Sequence, residues 1–110
     1  MNSDDINAQL ANVRTSYIES LADKKLAMLE HWNVLKVDWN EQSYQDLYII
    51  IHSLAGSAGT FDLPDITEYA KDIVNLFKEC NPEQNTLTDK LIKETQIKIE
   101  RLIQSMEHAH

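Results

Sequence analysis

The scarcity of the two residues that break helices constrains the fold of this chain more than any other feature. Its 110 residues include two glycines and two prolines. Tight turns and hairpins depend on these residues, so few such turns are available and long helices are expected in place of a sheet. This length supports one hydrophobic core without disulfides. We therefore expect a single domain over residues 1–110.

Apolar residues recur at helical spacing along five segments, which are joined by short polar links. Ser16 and Glu19 have the spacing of a capping box and indicate a helix start. The predicted helices begin at Ser3, run from Ser16 to about Val37, from about Glu41 to Thr60, from Pro64 to near Asn81 and Pro82, and from Thr86 or Thr88 onward. The predicted fold is all-α, an antiparallel up-down four-helix bundle with an additional N-terminal helix.

Each predicted helix has one apolar face. The residues of these faces are Ile6, Leu10 and Val13 in the first helix, Ile18, Leu21, Met28, Leu29, Trp32 and Leu35 in the second, Leu47, Ile50, Leu54, Ala58 and Phe61 in the third, Ile66, Ala70, Ile73 and Phe77 in the fourth, and Leu91, Ile99, Leu102, Ile103 and Met106 in the last. Stripes of this kind predict helices that pack side by side around a shared core.

Composition excludes several functional classes. The net charge of −8 argues against nucleic acid as a partner, because phosphates are bound by lysine and arginine. No basic residue lies between Lys36 and Lys71, which indicates a solvated acidic surface there. The single cysteine, Cys80, indicates a reducing compartment. No apolar run approaches 18 residues and no signal peptide is apparent, so we expect no membrane span and a cytoplasmic location.

Both glycines follow one histidine in the same predicted helix. Gly56 and Gly59 lie four and seven residues after His52, and Ala55 lies beside them on the same helical face. A glycine inside a helix costs about 0.5–1 kcal/mol relative to alanine. The pattern therefore indicates that a large partner approaches the imidazole. Alternatively, the glycines permit close helix packing and His52 is an incidental surface residue.

Helical periodicity predicts that His52 faces solvent. The apolar residues Leu47 and Leu54 lie on the opposite side of the helix, whereas Gln45 and Tyr48 share the face of His52. An exposed imidazole is partly neutral near pH 7, and its free nitrogen can carry a transferred group covalently.

The run from His52 to Gly59, His-Ser-Leu-Ala-Gly-Ser-Ala-Gly, resembles the signature of histidine-containing phosphotransfer (HPt) domains, whose usual form is His-x-Leu-Lys-Gly followed by small residues. The segment from Thr60 to Ile66 is similar to the family's turn into its next helix, and the helix lengths match over almost the whole chain. The resemblance implies a phosphorelay intermediate of two-component signalling. His52 would accept a phosphoryl group from a receiver-domain aspartyl phosphate and pass it to another receiver aspartate.

The same resemblance implies the partners of this chain. They are response-regulator receiver domains and a hybrid sensor kinase, which would dock on the surface formed by Gln45, Tyr48, Ala55, Gly56 and Gly59. The chain would need no cofactor, since the receiver brings Mg²⁺. We expect neither an ATP site nor kinase activity, because no glycine-rich phosphate loop is present. A monomer is the expected state, and the start at Met1 favours a free-standing protein.

Two positions depart from the family pattern. Ala55 stands where the family usually has a lysine, and Val74 stands where some members have a glutamine. Lys71 and Lys78 lie three residues before and four residues after Val74, so they share one flank of that helix and could supply the missing charge. Alternatively, a phosphohistidine here is less stabilised, or the partner supplies the charge.

A different class of function stays open beside the relay. Ala55 is compatible with a non-phosphorylated helical interaction module, a scaffold that docks receiver domains without accepting phosphate. A hydrolase or metal enzyme is disfavoured, because no acidic partner is apparent for Ser53 or Ser57 with His52. His31 is expected to be a surface or packing residue, and the C-terminal His108 and His110 would form a poor metal site.

Overall fold

The computed structural model describes residues 3–79 and 88–109, with side chains from residue 6. These residues form four α-helices and no strand, namely α1 (Ser3–Leu35), α2 (Glu41–Thr60), α3 (Pro64–Glu79) and α4 (Asp89–Glu107). The all-helical prediction is confirmed. Cys80, the predicted helix end near Asn81 and Pro82, and the alternative start at Thr86 lie outside the described residues.

The first two helices run antiparallel. Arg14 Nε donates to the carbonyl oxygen of Phe61 at 3.1 Å, and the hydroxyls of Tyr17 and Ser57 are 2.7 Å apart. The residue with the higher number in α1 contacts the residue with the lower number in α2, so the two helices are antiparallel. The Tyr17 and Phe61 rings stack at 4.3 Å between centroids and reinforce this junction.

Contacts between α1 and α4 close the bundle. The Trp32 indole donates to Gln96 Oε1 at 2.6 Å, and Lys25 Nζ lies 3.1 Å from Glu107 Oε1. Here too the higher residue number in α1 is paired with the lower one in α4, so α1 and α4 are antiparallel. Since α2 also packs on α3 and α3 on α4, each helix contacts its two neighbours in an up-down arrangement.

The core follows the predicted apolar faces closely. In α2 the predicted inward residues Leu47, Leu54 and Ala58 are fully buried, but Ile51 takes the buried position predicted for Ile50, which is half-buried. The other predicted residues that the structure buries are Leu21, Met28, Trp32, Leu35, Ile66, Ala70, Ile73, Phe77, Ile99, Leu102 and Met106. The bundle therefore has a continuous hydrophobic centre.

The N-terminal region differs from the prediction. α1 is one continuous helix of 33 residues, so the separate N-terminal helix and the start at Ser16 are wrong. The hydroxyl groups near Ser16 pair with carbonyls of the preceding turn, Thr15 Oγ1 with Ala11 at 3.0 Å and Ser20 Oγ with Tyr17 at 2.6 Å. Side chains that bond backward in this way do not cap a new helix, and neither glycine nor proline interrupts this segment.

The apolar stripe at the start of α1 is largely exposed. Ile6, Leu10 and Val13 are 46%, 62% and 53% accessible. Arg14 already reaches the C-terminal end of α2 through Phe61, so the residues that precede it continue past that end.

The turn between α2 and α3 has the hydrogen bonds of a Schellman motif. The N–H of Leu63 donates to Ala58 at 2.9 Å, the N–H of Asp62 donates to Gly59 at 3.3 Å, and Asp62 has a positive φ of 57°. Pro64 then occupies the first position of α3, as predicted, where its missing N–H costs nothing. This turn brings the glycine-bearing half of α2 alongside the first half of α3.

Thr95 offers a test of the packing between α4 and the core. Its side chain is 1% exposed, and Oγ1 has no hydrogen-bond partner among the described residues. A buried hydroxyl without a partner costs about 1–3 kcal/mol of desolvation. We expect Thr95→Val to raise the free energy of unfolding by about 1 kcal/mol, measured by urea denaturation. Thr67→Val is the control and should lose stability, because Thr67 Oγ1 donates to the Leu63 carbonyl at 3.3 Å.

Candidate functional site

His52 lies on the solvent side of α2, as its periodicity predicts. Its neighbours Ile51 and Leu54 are fully buried and hold this turn of the helix against the core. The imidazole is therefore exposed although the backbone that carries it is firmly packed. Such a group is accessible to a macromolecule and is held on a rigid element.

His52 borders an open groove of about 380 Å³ between α2 and α3. The two walls come from different helices. The lining residues are His52, Ala55 and Gly56 from α2, and Lys71, Val74, Asn75 and Lys78 from α3. The structure thus brings together both lysines singled out in the sequence and the histidine they were expected to support.

The two glycines are not required by helix packing. A Cβ atom added at Gly56 would meet nothing within 4 Å, and one added at Gly59 would lie 3.6 Å from Thr67 Oγ1, an ordinary van der Waals contact. Both residues are exposed. The space above Gly56 is open and the space above Gly59 accommodates a methyl group, so the packing explanation for the glycines loses its support.

The charge of the groove comes from α3. Lys71 and Lys78 are exposed, and within the described part of the chain neither forms an ion pair. Lys71 also lines an adjacent depression of about 320 Å³ that includes Gly59. Val74, which lies between the two lysines along α3 and is 6% exposed, contributes an apolar surface to the same wall.

Asn75 is a lining residue that the sequence analysis missed. It offers an amide that can donate hydrogen bonds to an anion in the groove. Its spacing was an available signal, because Asn75 is four residues after Lys71 and three before Lys78 and therefore shares their helical flank.

Gln45 and Tyr48 do not line this groove. The Tyr48 ring stacks with the His52 imidazole, with 5.8 Å between centroids and 22° between planes. Tyr48 and the exposed Gln45 line an apolar depression of about 250 Å³ together with Tyr44 and Ile49. The five residues predicted to form the docking surface thus line three different depressions: Ala55 and Gly56 the groove, Gly59 the adjacent depression, and Gln45 and Tyr48 the apolar one.

The remaining polar candidates have structural contacts. Ser57 Oγ donates to the Ser53 carbonyl at 2.8 Å and pairs with Tyr17, and His108 Nδ1 lies 2.7 Å from the Gln104 carbonyl. His31 is half-buried on α1, and His110 lies outside the described residues. In residues 3–79 and 88–109, no three histidine, cysteine or acidic side chains come together as a metal site.

None of the four described helices has an apolar stretch of the length that a bilayer crossing requires.

Comparison with known proteins identifies the family. The family model described as "Hpt domain" matches residues 8–109, essentially the whole chain. Searches of curated proteins and of solved structures found no significant match. The match covers all four helices of the bundle and the His52 segment. The chain therefore belongs to the Hpt domain family, whose members are phosphotransfer modules of two-component signalling and act as phosphocarriers rather than kinases.

Proposed function

We propose that this chain is a phosphorelay intermediate in which His52 carries the phosphoryl group. It would accept the group from an aspartyl phosphate on one receiver domain and pass it to an aspartate on another. The observation that supports this role is that the exposed imidazole of His52 shares an open groove with the ammonium groups of Lys71 and Lys78.

The transfer needs no catalytic base on this chain. A neutral imidazole attacks phosphorus through the lone pair of Nε2, forming the N–P bond. The bond between phosphorus and the acyl oxygen breaks, and the receiver carboxylate leaves with its electron pair. The return step reverses these changes on the second receiver. Phosphoryl transfer depends mainly on in-line positioning and charge neutralisation, so an accessible nucleophile beside cations meets its requirements.

The lysines of α3 supply the charge that the family usually places three residues after the histidine. Lysine has a flexible four-carbon stem and three donors, so it can follow phosphoryl oxygens from the opposite wall of the groove. Asn75 adds an uncharged donor beside them. This arrangement explains how Ala55 can be tolerated at the usual lysine position.

The docking surface comprises Gln45, Tyr48, Ala55, Gly56 and Gly59. The glycines leave the backbone of α2 open, which allows the receiver's aspartate and its Mg²⁺ to approach the imidazole closely. The partners are response-regulator receivers and a hybrid sensor kinase that carries one, and the contact is expected to be small and transient. We place this exchange in the cytoplasm and regard the chain as a monomer, as the family resemblance implies.

The first prediction concerns the carrier residue. Wild-type protein incubated with a phosphorylated receiver domain and Mg²⁺ should acquire an acid-labile, alkali-stable label. His52→Gln should acquire none, because its amide cannot form the N–P bond, whereas the matched control His31→Gln should be labelled like wild type. Phosphate transfer is measured with radiolabelled receiver at several times.

The competing scaffold function gives a different result in the same experiment. If wild type binds several receivers without being labelled, and His52→Gln binds them equally, the chain docks receivers and does not carry phosphate. Label on His52→Gln would show instead that another residue is the carrier.

The second prediction concerns the cations of the groove. Removing both ammonium groups with Lys71→Met and Lys78→Met should shorten the half-life of the phosphohistidine roughly two- to tenfold, since an exposed charge pair contributes about 0.2–1 kcal/mol. The control is the same pair of substitutions at Lys90 and Lys93, which are exposed on α4. An unchanged half-life in the first variant would refute the role of the α3 lysines.

The third prediction separates stability from access. Gly56→Ala should raise the free energy of unfolding by about 0.5–1 kcal/mol, because the added methyl group fits and alanine is the better helix former. The same variant should need a higher receiver concentration for half-maximal transfer, since the methyl group occupies the approach to His52. Thermal unfolding and transfer kinetics measure the two effects. A more stable variant with unchanged half-saturation would exclude close docking over Gly56.

A further inference from the structure

The aromatic ring of Tyr48 packs against the imidazole ring of His52. The two residues are one helical turn apart on α2, where side chains four positions apart are neighbours. Their rings lie 5.8 Å apart at 22°, which is a stacked geometry. His52 is exposed, whereas Tyr48 is half-buried and packs against the core. Packing therefore restricts the side chain of Tyr48 more than that of His52.

Tyr48 belongs to a longer row of rings that we call the aromatic column, formed by Trp39, Tyr44, Tyr48 and His52. Tyr44 lies 5.0 Å from Trp39 and 6.5 Å from Tyr48 between centroids. The column is attached to α3, because Tyr44 also packs on the Phe77 ring at 5.5 Å and its hydroxyl donates to the Phe77 carbonyl at 3.3 Å. The imidazole is thus the exposed end of a row that begins at Trp39, in the connection between α1 and α2.

Tyr48 and His52 line different depressions of the surface. The groove with Lys71 and Lys78 includes His52 but not Tyr48. Tyr48 instead lines the apolar depression, beside Tyr44 and Ile49. Tyr48 therefore contacts the imidazole without lining the groove from which a phosphoryl group would enter.

We infer that Tyr48 is a positioning residue for phosphoryl transfer at His52, an inference that rests on the proposed function. An exposed histidine side chain ordinarily exchanges among rotamers, and only some of them present the nitrogen in line with phosphorus. Stacking on Tyr48 restricts this exchange and holds the imidazole in the position from which it lines the groove. The aromatic face carries the effect, because the Tyr48 hydroxyl forms no hydrogen bond within the described residues.

The test uses the full chain and a phosphorylated receiver domain in single-turnover transfer over a range of receiver concentrations. Tyr48→Leu keeps apolar bulk against the core but removes the aromatic face, and we expect its rate constant at saturating receiver to fall about three- to tenfold. Tyr48→Phe retains the face and should transfer at the wild-type rate. Tyr69→Leu is the matched control, since Tyr69 is a half-buried tyrosine on α3 with no ring contact to His52 among the described residues.

A second readout reports the position of the ring without any phosphate. In the free protein, nuclear Overhauser contacts between the Tyr48 ring and the His52 imidazole protons, and the ring-current shift of those protons, should be present in wild type. Tyr48→Phe should retain both signals, and Tyr48→Leu should lose them. Circular dichroism establishes that each variant is folded.

The outcomes separate the two proposals. If wild type is labelled and Tyr48→Leu transfers at the wild-type saturated rate, with only its half-saturation concentration raised, Tyr48 acts in docking alone and the positioning role is wrong. Loss of the saturated rate in Tyr48→Phe as well would assign the effect to the hydroxyl and also contradict the inference. If wild type acquires no label from any receiver, the proposed function fails and the positioning role fails with it.

Discussion

The burial of one face of α2 is the constraint on which the rest of the structure depends. Leu47, Ile51, Leu54 and Ala58 are fully enclosed by the neighbouring helices, and this fixes the rotation of α2 about its axis. Burying a leucine or isoleucine side chain contributes about 1.5–3 kcal/mol, so a different rotation of α2 would lose several such contributions at once. The exposure of His52 is a geometrical consequence of that packing and needs no interaction of its own.

Helical periodicity explains why α2, α3 and the exposure of His52 could be predicted from the sequence. The prediction failed in α1, where a local capping signal was interpreted as a helix start. Ser16 has a capping-box spacing, but a capping signal competes with the propagation of a helix that is already formed. Without glycine or proline nearby, continuing α1 keeps its backbone hydrogen bonds, whereas a new start leaves four N–H groups without helical partners. Ile6 and Leu10 show a second limit of the sequence prediction. Their apolar stripe correctly predicts a helix, but it does not determine whether another element covers that stripe, and both residues are exposed.

Some features of the candidate site depend on one helix alone, and others depend on how two helices pack together. The relation of His52 to Gly56 follows from helical geometry and could be predicted from spacing. The position of Lys71 and Asn75 in the groove opposite His52 depends on how α3 packs against α2. The Schellman turn at Asp62 and the packing of the core together determine that arrangement. The stack of Tyr48 on His52 depends on side-chain rotamers, which spacing allows but does not specify.

In the proposed relay, Ala55 at the family's usual lysine position leaves the two walls of the groove with different tasks. A lysine beside the histidine would place charge and bulk on the same helix that the receiver must approach. With Ala55 and Gly56, the α2 wall is low and uncharged, while Lys71 and Lys78 carry the charge on the α3 wall. Because ammonium groups on flexible stems can follow an anion over several ångströms, charge on the far wall can serve the phosphoryl group without obstructing its donor. The absence of a lysine at position 55 is therefore compatible with the proposed carrier, whose docking face would be open at Gly56.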